Sequence, residues 1–336
     1  MQSLIEKIYN LKNLPELLDD ETLKKFNESL QIMEDLYKAN KKWVITYSGG
    51  KDSTTLVVLA LFMKEIHPDL EINVVYSDTL IEIPQMSNVA YSFLKSLNEK
   101  YKIKIKIVYP KIEDTFWVRM IGRGYPPPGP RFRWCTDKIK IKPTKKLFNN
   151  YIYITGMRIG ESLSRNSKLK DSCLVGVSSE CGNSLWMKQK GIYVAAPLIN
   201  WNSNEIWNFL INSAKKVIPE VEYVINLYGN TSLRFGCWMC TVVKNDKTML
   251  ILSQSGDLKI KKLLEFKNWL IEESKKEENR YFKKNGKKGR LSKKFRRTIL
   301  MKLLELEKET GLKLISDAEV KLSLKYLKSK DFGKYK

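Results

Sequence analysis

The chain has 336 residues, 43% of them hydrophobic, enough to bury a full core and to form one large domain with appendages, or two. Lys and Arg number 60 against 37 Asp and Glu, and the resulting +23 favours a polyanionic partner such as nucleic acid over a neutral metabolite. No uncharged run reaches membrane-spanning length and Met1–Lys7 does not read as a secretion signal, so a soluble cytoplasmic protein with no membrane partner is expected.

Residues 1–42 carry apolar side chains at helical spacing (Leu4, Ile5, Ile8, Leu11, then Leu23, Phe26, Leu30, Met33, Leu36) broken at Pro15, which predicts an N-terminal extension of two helices. Val44–Tyr47 is a β-prone run. It enters Ser48-Gly49-Gly50-Lys51-Asp52-Ser53, and a run of helix length follows, Thr54–Met63. A turn placed between a buried strand and a helix N-terminus binds anions, because the first N–H groups of a helix lack intrahelical partners and lie at the positive end of its dipole. The spacing G-x-x-x-x-G-K-[ST] is not met, since Ile45 stands where its first glycine belongs and Asp52 follows the lysine. A different phosphate loop is implied.

Ile72–Thr79 reads as a second strand, and ligands of parallel sheets gather at strand C-termini, where Ser77, Asp78 and Thr79 are expected beside the loop. His67, the single histidine, precedes Pro68 in a polar turn and is expected to be solvated, which removes His-based zinc sites and catalytic triads. A helix near Ser87–Glu99 and strands at Ile103–Tyr109, Tyr151–Gly156 and from Tyr193 continue the alternation, before a helix capped by Asn202 or Ser203. Residues 43–250 thus read as an α/β domain, a parallel twisted sheet flanked by helices. Within it, Asp114–Lys138 is rich in Gly, Pro, Arg and aromatics, and a long irregular loop of that kind is expected to serve a ligand. Arg158 and Arg165 follow a strand, and either could face phosphate.

Residues 251–336 form a basic helical C-terminal region. Lys275–Lys302 carries 13 Lys and Arg against 2 Glu, with Tyr281, Phe282 and Phe295 interleaved, and is expected to be a flexible contact surface for phosphate backbones. Five cysteines are an odd number, and without a secretion signal they read as metal ligands, reactive thiols or core fillers rather than as a disulfide frame. Cys237-Trp238-Met239-Cys240 is a C-x-x-C turn, and Cys135 lies in the arginine-rich loop. Without a usable histidine a metal site here needs four thiolates, which leaves a [4Fe–4S] cluster or Cys₄ zinc, with Cys181 beside Gly182 preferred to Cys173 as the fourth ligand.

Ser48–Ser53 resembles the pyrophosphatase loop of the adenine nucleotide α-hydrolase (PP-loop) superfamily, which cleaves ATP to AMP and pyrophosphate. Together with Asp114–Pro127, Phe132–Lys140, Met157–Arg165 and Arg234–Lys247, it makes the chain similar to the DndC-type sulfurtransferases of DNA phosphorothioation systems and their SspD relatives. The resemblance implies ATP pyrophosphatase activity with ATP and Mg²⁺, a [4Fe–4S] cluster, and replacement of a non-bridging oxygen of DNA by sulfur. It implies as partners DNA, a cysteine desulfurase as sulfur donor, and other phosphorothioation proteins. On this sequence the nucleotide is expected on Tyr47, Ser48, Gly49, Gly50, Lys51, Asp52, Ser53, Ser77, Asp78, Thr79, Gly156 and Arg158. Catalysis is expected from Lys51, Asp52, Asp78, Arg158 and Arg165, and the cluster on Cys135, Cys181, Cys237 and Cys240. One departure is that Gly229–Leu233 lacks a cysteine that the family often carries shortly before the Arg-Phe-Gly-Cys segment.

Three other readings share some of these features. A tRNA-thiolating enzyme would use the same loop and a cluster. A PAPS or APS reductase would share the fold, and Glu180-Cys181-Gly182 matches its Glu-Cys-Gly, but there a histidine follows and the cysteine is near the C-terminus. A DNA-binding subunit with a vestigial nucleotide site would not need the complete Ser-Gly-Gly-Lys-Asp-Ser.

Overall fold

The computed structural model describes residues 17–130, 132–144, 147–159, 187–189, 192–229, 235–242 and 246–329. The chain divides into two compact units, one of Met1–Tyr76, Pro84–Ile107 and Lys146–Thr231, the other of Ser77–Ile83, Val108–Lys145 and Ser232–Lys336.

The first unit is a sheet of order β3-β2-β1-β4-β6-β5 flanked by helices. Its strands are β1 (Lys42–Tyr47), β2 (Glu71–Ser77), β3 (Lys104–Val108), β4 (Ile152–Ile154), β5 (Met187–Gln189) and β6 (Ile192–Ala195). Five strands are parallel, and β5 runs antiparallel to β6 at the edge. The central strands bury both faces: Trp43, Val44 and Ile45 of β1 are inaccessible, and Trp43 pairs with Ile72 and Ile152 on its two sides. That is why these strands read as near-continuous apolar runs instead of alternating ones. Helix α1 (Asp20–Ala39) is started by Asp19, whose carboxylate accepts from Thr22 N, and buries Phe26, Ile32, Met33 and Leu36. Helix α2 (Lys51–Ile66) is covered all round, with every residue from Ser53 to Met63 buried. Helix α3 (Pro84–Tyr101) lies between β2 and β3 in the chain, and α4 (Ser203–Phe209) begins in a capping box of Asn202 and Glu205. Helix α5 (Val221–Tyr228) closes the unit.

His67 is not solvated as expected. Its Nε2 lies 2.7 Å from a carboxylate oxygen of Glu34, and its ring stacks on Tyr37 at 3.7 Å. Both partners sit on α1, about thirty residues earlier, beyond the reach of any local pattern. Of the N-terminal extension, the helix before Pro15 lies outside the described residues.

The second unit is helical. It contains α6 (Lys247–Gln254), α7 (Leu258–Glu273), α8 (Lys293–Thr310) and α9 (Asp317–Lys328), with a hairpin of β7 (Arg280–Phe282) and β8 (Lys288–Leu291). The arginine-rich segment belongs here and is not an irregular loop throughout: Val118–Gly122 and Thr136–Ile141 form π-helical turns. Phe116 and Trp117 are buried rather than presented to a ligand, and Trp117 packs near Trp238 and Phe266 at 5.9 and 6.1 Å while its indole N–H donates to Leu314 O. Arg119 is likewise consumed internally, paired with the buried carboxylate of Asp114, which also receives Lys142 at 2.5 Å. The basic run Lys275–Lys302 is ordered into the hairpin and the start of α8; Tyr281 and Phe282 are exposed as expected, but Phe295 is in the core. Among the described residues no helix is long and apolar enough to cross a membrane.

Candidate phosphate cradle and thiol cluster

The loop after β1 turns on Gly49, whose φ of +79° is open to glycine and costly to other residues. Gly50 then stands as the N-cap of α2 and supplies no side chain to cap it. The carbonyl of Gly50 collects Thr54 N at 3.0 Å, Ser53 Oγ at 2.9 Å and Thr54 Oγ1 at 3.0 Å, which closes the first helical turn. Ser53 Oγ in turn accepts Ser48 N at 3.2 Å, tying the two ends of the loop together. The backbone is therefore held from within, and the amides at the head of α2 are aimed along its dipole.

Two cations converge on this turn. Lys51 Nζ lies 3.0 and 2.9 Å from the carboxylate oxygens of Asp52, and Arg158 Nε lies 2.7 Å from Asp52 Oδ1. Arg158 is buried and its Nη1 also donates to Trp201 O at 3.2 Å, so its guanidinium is fixed in place. Arg158, one of the two arginines expected to face phosphate, lies here against Asp52. Gly156 lies against the loop backbone, and Tyr47 is in the core with its ring stacked on Phe93 at 5.5 Å and its hydroxyl pKa raised by burial. Arg165 lies outside the described residues.

Tyr228, at the end of α5, was not anticipated. Its hydroxyl accepts from Lys51 N at 3.4 Å and stands 3.2 Å from where a Cβ on Gly50 would be. Nothing in its neighbourhood in the sequence marks it, because the contact spans 177 positions.

Ser77, Asp78 and Thr79 belong to the second unit. Ser77 Oγ donates to the carbonyls of Ile139 and Lys140, Asp78 Oδ1 accepts from Leu80 N at 2.8 Å, and Thr79 Oγ1 donates to Glu82 Oε1 at 2.9 Å. The C-x-x-C turn is joined to the same segment: Glu82 bridges Cys237, Trp238 N donates to Ile81 O, and Cys240 N donates to Cys237 O. Cys237 Sγ lies 3.9 Å from Thr79 Oγ1, and burial, then the Glu82 carboxylate, pushes its thiol up to about 12. Burial also raises the Cys135 thiol. Lys140, whose Nζ is 3.6 Å from Glu82 Oε1, has its pKa raised by Cys237, once that thiol ionises at high pH, and by the Glu82 carboxylate. Glu82 and Lys140 are the charged neighbours of the thiols that the cysteine spacing alone did not reveal.

Cys135, Cys237 and Cys240 are free thiols, and Cys181 and Cys173 lie outside the described residues. Among the described residues no three thiol, carboxylate or imidazole groups converge as a metal site. These side chains therefore do not by themselves fit a [4Fe–4S] cluster. The first site is of another kind: helix-terminal amides, serine hydroxyls, a lysine and an arginine form a donor set suited to a polyphosphate, with one carboxylate among them suited to Mg²⁺.

Comparison with known proteins gives one family match, to the phosphoadenosine phosphosulfate reductase domain, over residues 42–243. No curated protein matches. Among solved structures, a phosphoadenylyl-sulfate reductase from Candida auris in a phosphate complex aligns with a TM-score of 0.43 at 16% identity, over 64% of this chain and 90% of that one. An FMN adenylyltransferase from Candida glabrata aligns with a TM-score of 0.35 at 14% identity, over 90% and 86%.

Proposed function

Because the chain belongs to the phosphoadenosine phosphosulfate reductase domain family, matched over residues 42–243, we propose that it is an ATP pyrophosphatase and sulfurtransferase acting on a DNA backbone phosphate. The observation that carries this reading is the convergence of Lys51 and Arg158 at the open N-terminus of α2, within a Ser-Gly-Gly-Lys-Asp-Ser loop.

The β,γ-phosphates of ATP would rest on the amides of Gly50 to Ser53 and on the hydroxyls of Ser48 and Ser53. Lys51 and Arg158 would exchange Asp52 for phosphate oxygens and neutralise the charge that grows on the departing pyrophosphate. Mg²⁺, when bound, supplies further neutralisation of those oxygens, and Asp52 is the carboxylate of this loop that would hold it. A non-bridging oxygen of DNA attacks the α-phosphorus, the bond to the β-phosphate oxygen breaks, and pyrophosphate leaves. The terminal sulfur of a persulfide supplied by a cysteine desulfurase then attacks the adenylated phosphorus and AMP leaves. A second thiol cleaves the S–S bond of the resulting P–S–S–R group, leaving sulfur on phosphorus and a disulfide as the oxidised product. Activation is needed because an unmodified phosphodiester oxygen is a poor leaving group.

In Lys51→Ala, pyrophosphate release from ATP in the presence of DNA is expected to fall by about 10² or more. A wild-type rate in that variant overturns the loop assignment. Mass spectrometry of nuclease-digested DNA and tRNA from cells with and without the gene separates sulfurated dinucleotides, expected here, from the thiolated bases of a tRNA enzyme. The reductase reading is weaker because no cysteine follows Cys240 and the one histidine, His67, is bound to Glu34. A cluster on Cys135, Cys237 and Cys240 would need Cys181 or Cys173 as well. Iron and sulfide analysis of anaerobically purified protein tests it: about four of each per chain would establish a cluster that the described thiols do not assemble by themselves, and a colourless zinc protein removes it.

A further inference from the structure

The second unit contains a cavity of about 470 Å³ between the β7–β8 hairpin and the segment around Tyr125. That volume is in the range of roughly 300–1,000 Å³ usual for ligand pockets. Its described lining has Arg280, Lys283, Lys288 and Arg290 together with Tyr125, Pro126, Phe132 and Gly289, and includes no carboxylate.

Each wall is built rather than incidental. The Tyr125 and Phe132 rings are nearly parallel, 14° apart with centroids at 6.1 Å. Tyr125 is backed by the Arg119 guanidinium at 5.0 Å and by the edge of Trp134 at 5.6 Å, and Trp134 Nε1 donates to Pro126 O. Phe132 is 48% exposed, so part of its ring is open to a partner. Across the cavity, Arg280 is fixed by donating to the carbonyls of Ser274 and Gly289. Lys288 donates to Lys275 O and lies 3.9 Å from Glu277. The two walls are tied directly, since Leu291 N donates to Gly124 O at 2.8 Å. Gly124 has a φ of +73°, and a Cβ there would stand 3.1 Å from Leu291 O.

Aromatic rings and cations lining one cavity match one ligand chemistry well: a flat base that stacks, attached to a phosphate that pairs with Arg and Lys. Bases paired inside a duplex do not present a free face. We propose that this cavity is a subsite for an unpaired nucleotide of a single-stranded nucleic acid, its base on Phe132 and its phosphates on Lys283 and Arg290. The proposal rests on the reading that the protein acts on nucleic acid, and specifies that the strand is unpaired where it is held.

The test is fluorescence anisotropy of the full chain with a labelled dT12, the matching 12-base-pair duplex, and thymidine monophosphate as competitor. Wild type is expected to bind dT12 more tightly than the duplex. Phe132→Ala should weaken dT12 binding about tenfold, and Phe132→Tyr, which keeps a ring, should restore it. Lys283→Gln/Arg290→Gln should reduce the slope of log K against log salt by about 1.4, as two lost phosphate contacts predict. Equal binding of dT12 by wild type and Phe132→Ala overturns the proposal, as does full competition by the monophosphate at the dT12 concentration. The assay needs no ATP, so it fails independently of the proposed reaction. Lys51-dependent pyrophosphate release with Phe132-insensitive binding removes only the subsite, and the converse removes only the adenylation.

Discussion

Gly156 shows how little room the cradle leaves. A Cβ there would stand 3.0 Å from the carbonyl carbon and oxygen of Asp52 and 3.2 Å from Ser53 N, all main-chain atoms of the loop that cannot swing aside. Gly156→Ala is therefore expected to displace the loop by a few tenths of an ångström or more and to lower pyrophosphate release by about 10–100-fold. Gly129→Ala, where a Cβ would meet nothing within 4 Å, should leave the rate unchanged. Equal rates in both variants would show that the loop does not hold the reacting phosphates. The identity of residue 156 as a small, permissive position was visible in the sequence, yet its reason was not. A strand end reads as a strand end, and only the fold brings it against a helix start a hundred residues earlier.

At the scale of elements, the segment from Asp114 to Gly122 is held by buried charge. Asp114 joins Arg119 and Lys142, and Arg296 from α8 donates through Nε to Ile121 O at 2.6 Å and through Nη2 to Gly122 O. Asp114→Ala leaves the buried Arg119 without its carboxylate, and a loss of about 3–5 kcal/mol in urea unfolding is expected. The pH dependence follows from the sign of the shift. Burial alone would raise the Asp114 carboxyl, but the hydrogen bonds and charges of Lys142 and Arg119 outweigh it and hold the group below its ordinary value. Depressed in the folded state, it stabilises fully above about pH 4, and the stabilisation is lost as pH falls toward the folded value. Urea midpoints of Asp114→Asn between pH 3 and 6 should accordingly fall less steeply with acid than those of wild type. A parallel pair of curves would contradict the assignment. The elements themselves were largely legible: β1, β2 and β3 from β-branched runs, and α4 from a cap expected at Asn202 or Ser203, because these are local preferences. The π-helical turns were not, since Phe116 and Trp117 look the same in sequence whether they face a ligand or a core.

The whole chain carries +23, and a surface of that sign attracts polyanions without regard to sequence. Binding to a non-specific duplex is expected to weaken on the order of 10³-fold between 50 and 200 mM salt, if about six phosphates are engaged. An affinity that does not move with salt would mean that the charge is merely solvated. The second unit is assembled from three separate stretches, Ser77–Ile83, Val108–Lys145 and Ser232–Lys336. That is how Cys135 and the Cys237 turn, a hundred residues apart, share Lys140 as a neighbour.

The Ser48–Ser53 turn, the parallel sheet and the basic C-terminal composition were determined by the sequence itself, because strand propensity, glycine turns and helix caps act over a few residues. Tertiary structure alone decided that Arg158 rather than solvent meets Asp52, that Tyr228 stands at the head of α2, and that the aromatics of the arginine-rich segment divide between core and cavity. Each of those outcomes depends on burial and on contacts between distant residues, where the free energy of excluding water from a ring or a charge is set by what the fold brings against it.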